Sequence, residues 1–93
     1  LFEPKVIKIK RIAIGCIVNY CGFKYYEINH YYDTEDGQER RGISKFSFSF
    51  FKNKGITQRF NGTKKIDNWL ATEEGRREYI SLLNKENKYF KYI

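Results

Sequence analysis

Five residues near the middle of the chain, Phe46-Ser47-Phe48-Ser49-Phe50, alternate a large ring with a small hydroxyl without a break. Successive side chains of a β-strand point to opposite faces, so this period of two predicts a half-buried strand. Phe46, Phe48 and Phe50 would face a core, Ser47 and Ser49 the opposite side, within a strand over residues 42–51. A strand of this kind needs partners on both edges and a cover for its rings, and the rest of the chain can be arranged as those neighbours.

Phe23–Tyr32 reads as a second strong strand, with Tyr26, Ile28, His30 and Tyr32 on one face. Asp33-Thr34-Glu35-Asp36-Gly37 ends it in a loop whose Asp-Gly pair is a turn signal. Upstream, Ile7 and Ile9 are in phase, whereas Ile12, Ile14, Cys16 and Val18 are not. A bulge near Lys10-Arg11, or two short strands, absorbs that slip, with a bend at Gly15 and a turn at Cys21-Gly22. Lys52–Gly55 predicts a tight turn and Ile56–Phe60 a short fourth strand, followed by a turn at Asn61-Gly62. Ile66, Trp69 and Leu70 then recur at helical spacing. Thr72-Glu73-Glu74 has the form of a helix cap with acids in the first turn, opening a second helix that carries Tyr79, Ile80, Leu82 and Leu83. The tail, 88–93, is either a last strand or a loose basic-aromatic end. The expected fold is α+β: an antiparallel meander of three to five strands with a C-terminal helix packed on one face.

The 93 residues make one small basic domain, residues 1–93. Eighteen Lys and Arg against eleven Asp and Glu give a net charge of +7. Such an excess favours polyanions, nucleic acid first and an acidic protein surface next. Cys16 and Cys21 with the lone His30 are too few for a zinc site within one chain, so buried, reduced thiols are expected. Ile12–Val18 is too short for a signal segment and no apolar run spans a bilayer, so no membrane association and an intracellular location are expected. The abundance of Lys, Asn, Ile, Tyr and Phe is compatible with an AT-rich genome, such as that of a phage or mobile element.

Catalysis finds little support. His30 shares its face with Tyr26, Ile28 and Tyr32 and reads as a packed histidine. There is no nucleophile elbow and no phosphate-cradling glycine loop. Asp33, Glu35, Asp36 and Glu39 crowd one loop, but their spacing is not that of a calcium loop, and a self-repelling solvated loop beside Arg40 and Arg41 is the simpler reading. No catalytic residue, metal or cofactor is expected, and the chain is not expected to be an enzyme.

Basic residues gather in three groups: Lys5, Lys8, Lys10 and Arg11; Lys52, Lys54, Arg59, Lys64 and Lys65; and Arg76, Arg77 and the lysines after them. Lys64 and Lys65 open a helix, where cations oppose the helix dipole, which points to an external anion. Tyr25, Tyr31, Phe51 and Phe60, with Tyr89, Phe90 and Tyr92 of the tail, interleave with the cations and on an open sheet face would stack bases.

Arg59-Phe60-Asn61-Gly62-Thr63-Lys64-Lys65-Ile66-Asp67-Asn68-Trp69-Leu70-Ala71 resembles the strand-to-helix junction of the AP2-like domains, among them the arm-binding domains of phage and transposon integrases. The hairpin from Tyr25 through Asp36-Gly37 to Arg40 is similar in kind. A fainter similarity, through Ile66–Leu70, is to KilA-N viral DNA-binding domains. The AP2-like resemblance implies a three-stranded antiparallel sheet lying in the major groove and backed by the helix. Lys24, Arg40, Arg41 and Lys45, with Lys52 and Lys54, would then touch DNA, the arginines reaching guanine edges and the lysines phosphates. The expected function is binding of nucleic acid, DNA ahead of RNA, through Lys24, Arg40, Arg41, Lys45, Lys52, Lys54, Arg59, Lys64 and Lys65. Two alternatives stand beside it: a protein-interaction or inhibitor module docking on an acidic partner, and RNA binding by the aromatic sheet face.

Overall fold

A long antiparallel meander runs through the molecule, and the helices pack on one side of it. The computed structural model describes residues 3–56 and 62–93. The strands are β1 (Lys5–Ile7), β2 (Ile9–Tyr20), β3 (Phe23–Asp33), β4 (Glu39–Ser47) and β5 (Phe90–Tyr92). The helices are α1 (Phe48–Lys52), α2 (Gly62–Ala71) and α3 (Glu73–Glu86). The β2, β3 and β4 strands form one antiparallel sheet in that order, while β1 and β5 form a separate parallel pair. The fold is therefore α+β. The expected strand over Ile56–Phe60 falls mostly outside the described residues, and Ile56 itself is buried.

The Phe/Ser repeat does not remain a strand. It leaves the sheet at Ser47, whose hydroxyl accepts the Phe50 amide at 3.3 Å and caps α1. Serine is a strong helix cap because its oxygen satisfies an amide that the first turn leaves unpaired. The turn of helix carries Phe48 and Phe50 beneath the sheet and brings Phe51 to complete burial. The rings reach the core as expected, by a change of direction rather than by alternation.

Two register shifts interrupt β2, between Ile9 and Arg11 and between Ile14 and Cys16. The first is the slip read from the sequence. The second, at Gly15, turns Cys16 and Val18 away from the face of Ile12 and Ile14, so that they stand opposite Glu27 and Tyr25. Cys16 and Cys21 are both exposed and free, not buried as expected.

On the covered side, Tyr26, Ile28 and Phe46 of the sheet pack with Phe51, Ile56, Ile66, Leu70 and Tyr79. Trp69, partly buried, meets Phe50 and Phe51 edge-on at 6.1 and 5.9 Å. The chain breaks between α2 and α3 at Thr72, whose hydroxyl caps α3 through the Gly75 amide at 3.0 Å. A Cβ on Gly75 would overlap the Trp69 carbonyl, so glycine is what lets the two helices meet so tightly. The tail does form a strand: Asn84 holds Tyr92 by donating to its carbonyl (3.0 Å) and accepting its amide (2.7 Å).

The histidine is a core residue. Its Nδ1 lies 2.8 Å from the Tyr79 hydroxyl, which also contacts the Ser44 hydroxyl at 3.2 Å. Burial lowers the His30 pKa and pushes that of Tyr79 up to about 12, so neither group ionises readily near neutrality. A Cβ on Gly42, directly across from His30, would overlap the imidazole ring.

Candidate nucleic-acid interface

Directly paired residues of an antiparallel sheet share a face. Tyr26, Ile28 and His30 face the helices, so the other face holds Tyr25, Glu27, Asn29 and Tyr31 of β3. Opposite them on β4 are Ser47, Lys45, Ile43 and Arg41, and on β2 Val18, Cys16, Ala13 and Arg11. None of the described helices covers this face in the core cluster, which lies wholly on the other side.

Its cations are organised by its aromatic rings. The Arg11 guanidinium sits 3.7 Å above the Tyr31 ring, and Arg41 stands directly across from Tyr31 on the next strand. The Lys45 ammonium lies 5.3 Å from the Tyr25 ring. Each ring attracts the cation through its quadrupole and holds it near the surface. Glu27 is the single carboxylate in the middle of the face, and its oxygen accepts a hydrogen bond from the Cys16 thiol at 3.3 Å, which raises the thiol pKa.

At one end the charges cancel. Lys10 reaches Glu39 at 2.9 Å and Asp33 at 3.1 Å, Arg11 reaches Glu39 at 3.6 Å, and Lys5 reaches Glu35 at 3.4 Å. The hydrogen bonds to Glu39 and Asp33 raise the Lys10 pKa, and the same contact holds the Glu39 carboxyl below its usual range. The acidic loop is thus matched by the N-terminal basic group rather than repelling itself beside Arg40 and Arg41. Among the described residues no group of three or more His, Cys, Asp or Glu side chains converges to hold a metal ion.

The nine residues singled out from the sequence separate. Arg41 and Lys45 lie together on the open face. Arg40 is their exposed neighbour on the edge strand, opposite Tyr32, and Lys24 is exposed where the β2–β3 hairpin begins its tip. Lys52, Lys54, Lys64 and Lys65 belong to the helical layer behind the sheet. Lys54 is committed to packing there: both Glu78 oxygens lie within 2.9 Å of it, and the Phe50 and Trp69 rings are each 4.8 Å away. Lys64 and Lys65 do occupy the first turn of α2, exposed, but in the helical layer and not on the sheet face of Arg41 and Lys45. Arg59 lies outside the described residues. The two arginines of the third basic group are also internally engaged, Arg76 on the Ile9 carbonyl at 2.7 Å and Arg77 on Glu73 at 2.8 Å.

Arg11 is the face residue that the sequence reading passed over. The slip at Lys10-Arg11 was its signal, because that shift sets Arg11 against Tyr31. Of the rings expected to stack bases, Phe51 is buried in the core and Tyr92 packs on His30 at 5.4 Å, while Phe60 lies outside the described residues. Tyr20 and Phe23, paired at the hairpin tip, are the exposed rings of the open face.

No known protein family, curated protein or solved structure matches the chain. No helix among the described residues is long and apolar enough to cross a membrane.

Proposed function

We propose that this protein binds nucleic acid, double-stranded DNA ahead of RNA, through the open face of the β2–β3–β4 sheet. The observation that carries the reading is the row of Arg11, Arg41 and Lys45 on a sheet face that no described helix covers. The major groove, about 12 Å wide, admits a two-stranded β-ribbon, and two adjacent strand axes of this sheet are about 5 Å apart. Arg41 and Arg11 flank the same tyrosine and present planar donor forks suited to phosphate or guanine edges. The tyrosines beneath Arg11 and Lys45 are capped by those cations, which favours contacts to phosphates and base edges over stacking of unpaired bases. Lys24 at the hairpin lies where the sheet would continue along a groove.

Fluorescence anisotropy with a labelled DNA duplex at 50 and 200 mM salt tests the reading, with single-stranded RNA as a parallel arm. Three phosphate contacts predict a loss of about forty-fold in affinity over that range. Arg41→Ala with Lys45→Ala flattens the salt slope. Duplex binding that ignores salt, or that survives the double substitution unchanged, overturns the proposal. Tighter binding to RNA, lost on Phe23→Ala, transfers the function to the aromatic hairpin tip.

A further inference from the structure

The β4 strand is the outer edge of its sheet, and among the described residues no strand pairs with its free side. An unpaired edge offers a row of backbone donors and acceptors to any extended chain that approaches it. Beside this edge lies a groove of about 230 Å³, bounded by Ser44–Ser47 on β4, Phe50 on α1, and Leu82, Leu83 and Glu86 on α3. Phe46, Phe50, Leu82 and Leu83 supply its apolar lining, and Ser44, Lys45, Ser47 and Glu86 its polar lining. The volume is below the ~300–1,000 Å³ of a small-molecule site, and suits one or two side chains of a longer ligand.

We infer that the β4 edge and the β4–α3 groove together bind an extended acidic peptide segment of another protein by strand addition. Main-chain hydrogen bonds to an edge strand provide affinity, and pockets for alternate side chains provide selection. Alternate residues of an added strand point to the same side, so one apolar side chain enters the groove while its neighbours lie over the outer face. The edge also states which chains it admits. Arg40, Arg41 and Lys45 make no ion pair among the described residues, whereas Glu39, its only acid, is held by Lys10 and Arg11. Carboxylates across from Arg41 and Lys45, which share the outer face, are stabilising, and basic strands are disfavoured. That charge balance disfavours a second copy of β4 as the occupant. Glu86 lies on the groove side, so the acidic residues of the peptide belong over the outer face, toward Arg41 and Lys45.

This inference does not rest on DNA binding, although Lys45 and Arg41 border both surfaces. The probe is a fluorescein-labelled ten-residue peptide alternating Glu or Asp with Leu or Val. Its partners are a version with Lys for every acid and a version N-methylated at alternate amides. The acidic peptide is expected to bind about tenfold or more tighter than either. In two-dimensional NMR its shifts fall on β4 amides and on the Leu82 and Leu83 methyl groups. Leu83→Ser weakens the peptide and leaves duplex DNA binding unchanged, while Arg11→Ala does the reverse. The proposal is overturned if the N-methylated or the basic peptide binds as well, or if the shifts lie away from β4 and α3. Concentration-dependent self-association through β4, seen by analytical ultracentrifugation, also overturns it by naming a second copy as the occupant.

Discussion

The two faces of the sheet carry similar residues and use them differently. On the open face, the Lys45 ammonium lies over the Tyr25 ring and makes no ion pair among the described residues, while Arg11, over Tyr31, keeps only a longer, exposed contact to Glu39 at 3.6 Å. On the helical face, Lys54 also lies over rings, those of Phe50 and Trp69, but Glu78 takes its charge. A cation beside an aromatic ring is therefore not in itself a binding feature. What separates the two is whether a carboxylate completes the contact within the molecule.

That contrast is broken most severely from the core. Phe51→Ala removes a ring with no solvent exposure and is expected to cost about 3–5 kcal/mol, read from a urea melt. A smaller effect is expected from Tyr79→Phe, which takes the hydroxyl from His30 Nδ1 and should cost about 1–3 kcal/mol by the same measurement. The histidine adds a pH dependence. Unfolded His30 gains its proton near pH 6.5, whereas burial makes the folded one resist it. The unfolded state then binds more protons, so stability is full above about pH 6.5 and declines as the pH falls below it. A series of melts from pH 7.5 to 5 checks this, and His30→Gln should flatten the decline.

Surface substitutions sharpen the comparison with smaller numbers. Lys54→Met should cost about 1 kcal/mol, since the pair with Glu78 is only partly screened, and should leave the salt dependence of DNA binding unchanged. Arg41→Ala should change stability by no more than about 0.5 kcal/mol and reduce the salt slope of duplex binding by about one. If Lys54→Met alters the slope and Arg41→Ala does not, the assignment of roles to the two faces is reversed.

Periodicity carried the reading where one local rule governed a segment. The β3 alternation placed Tyr26, Ile28 and His30 on the covered side, and Thr72 before two glutamates marked the start of α3. It failed where two local rules competed. Phe46–Phe50 alternates as well as any strand, yet Ser47 is also a good helix cap, and capping carries the rings deeper. The candidate cations divided because linear proximity said nothing of layers: Lys45 and Lys54 are nine positions apart and lie on opposite sides of the sheet.

By itself the sequence determined the mixed architecture, the basic balance and the rings that make the core, because burial of apolar area follows from composition and period. Only the tertiary structure decided which cations remain open. An ion pair such as Lys54–Glu78 or Lys10–Glu39 joins residues 24 or 29 positions apart, and no local pattern encodes that distance. The sheet register and the helix packing bring these charges together, and whatever they leave unmatched on β4 and the open face is the surface proposed for a partner.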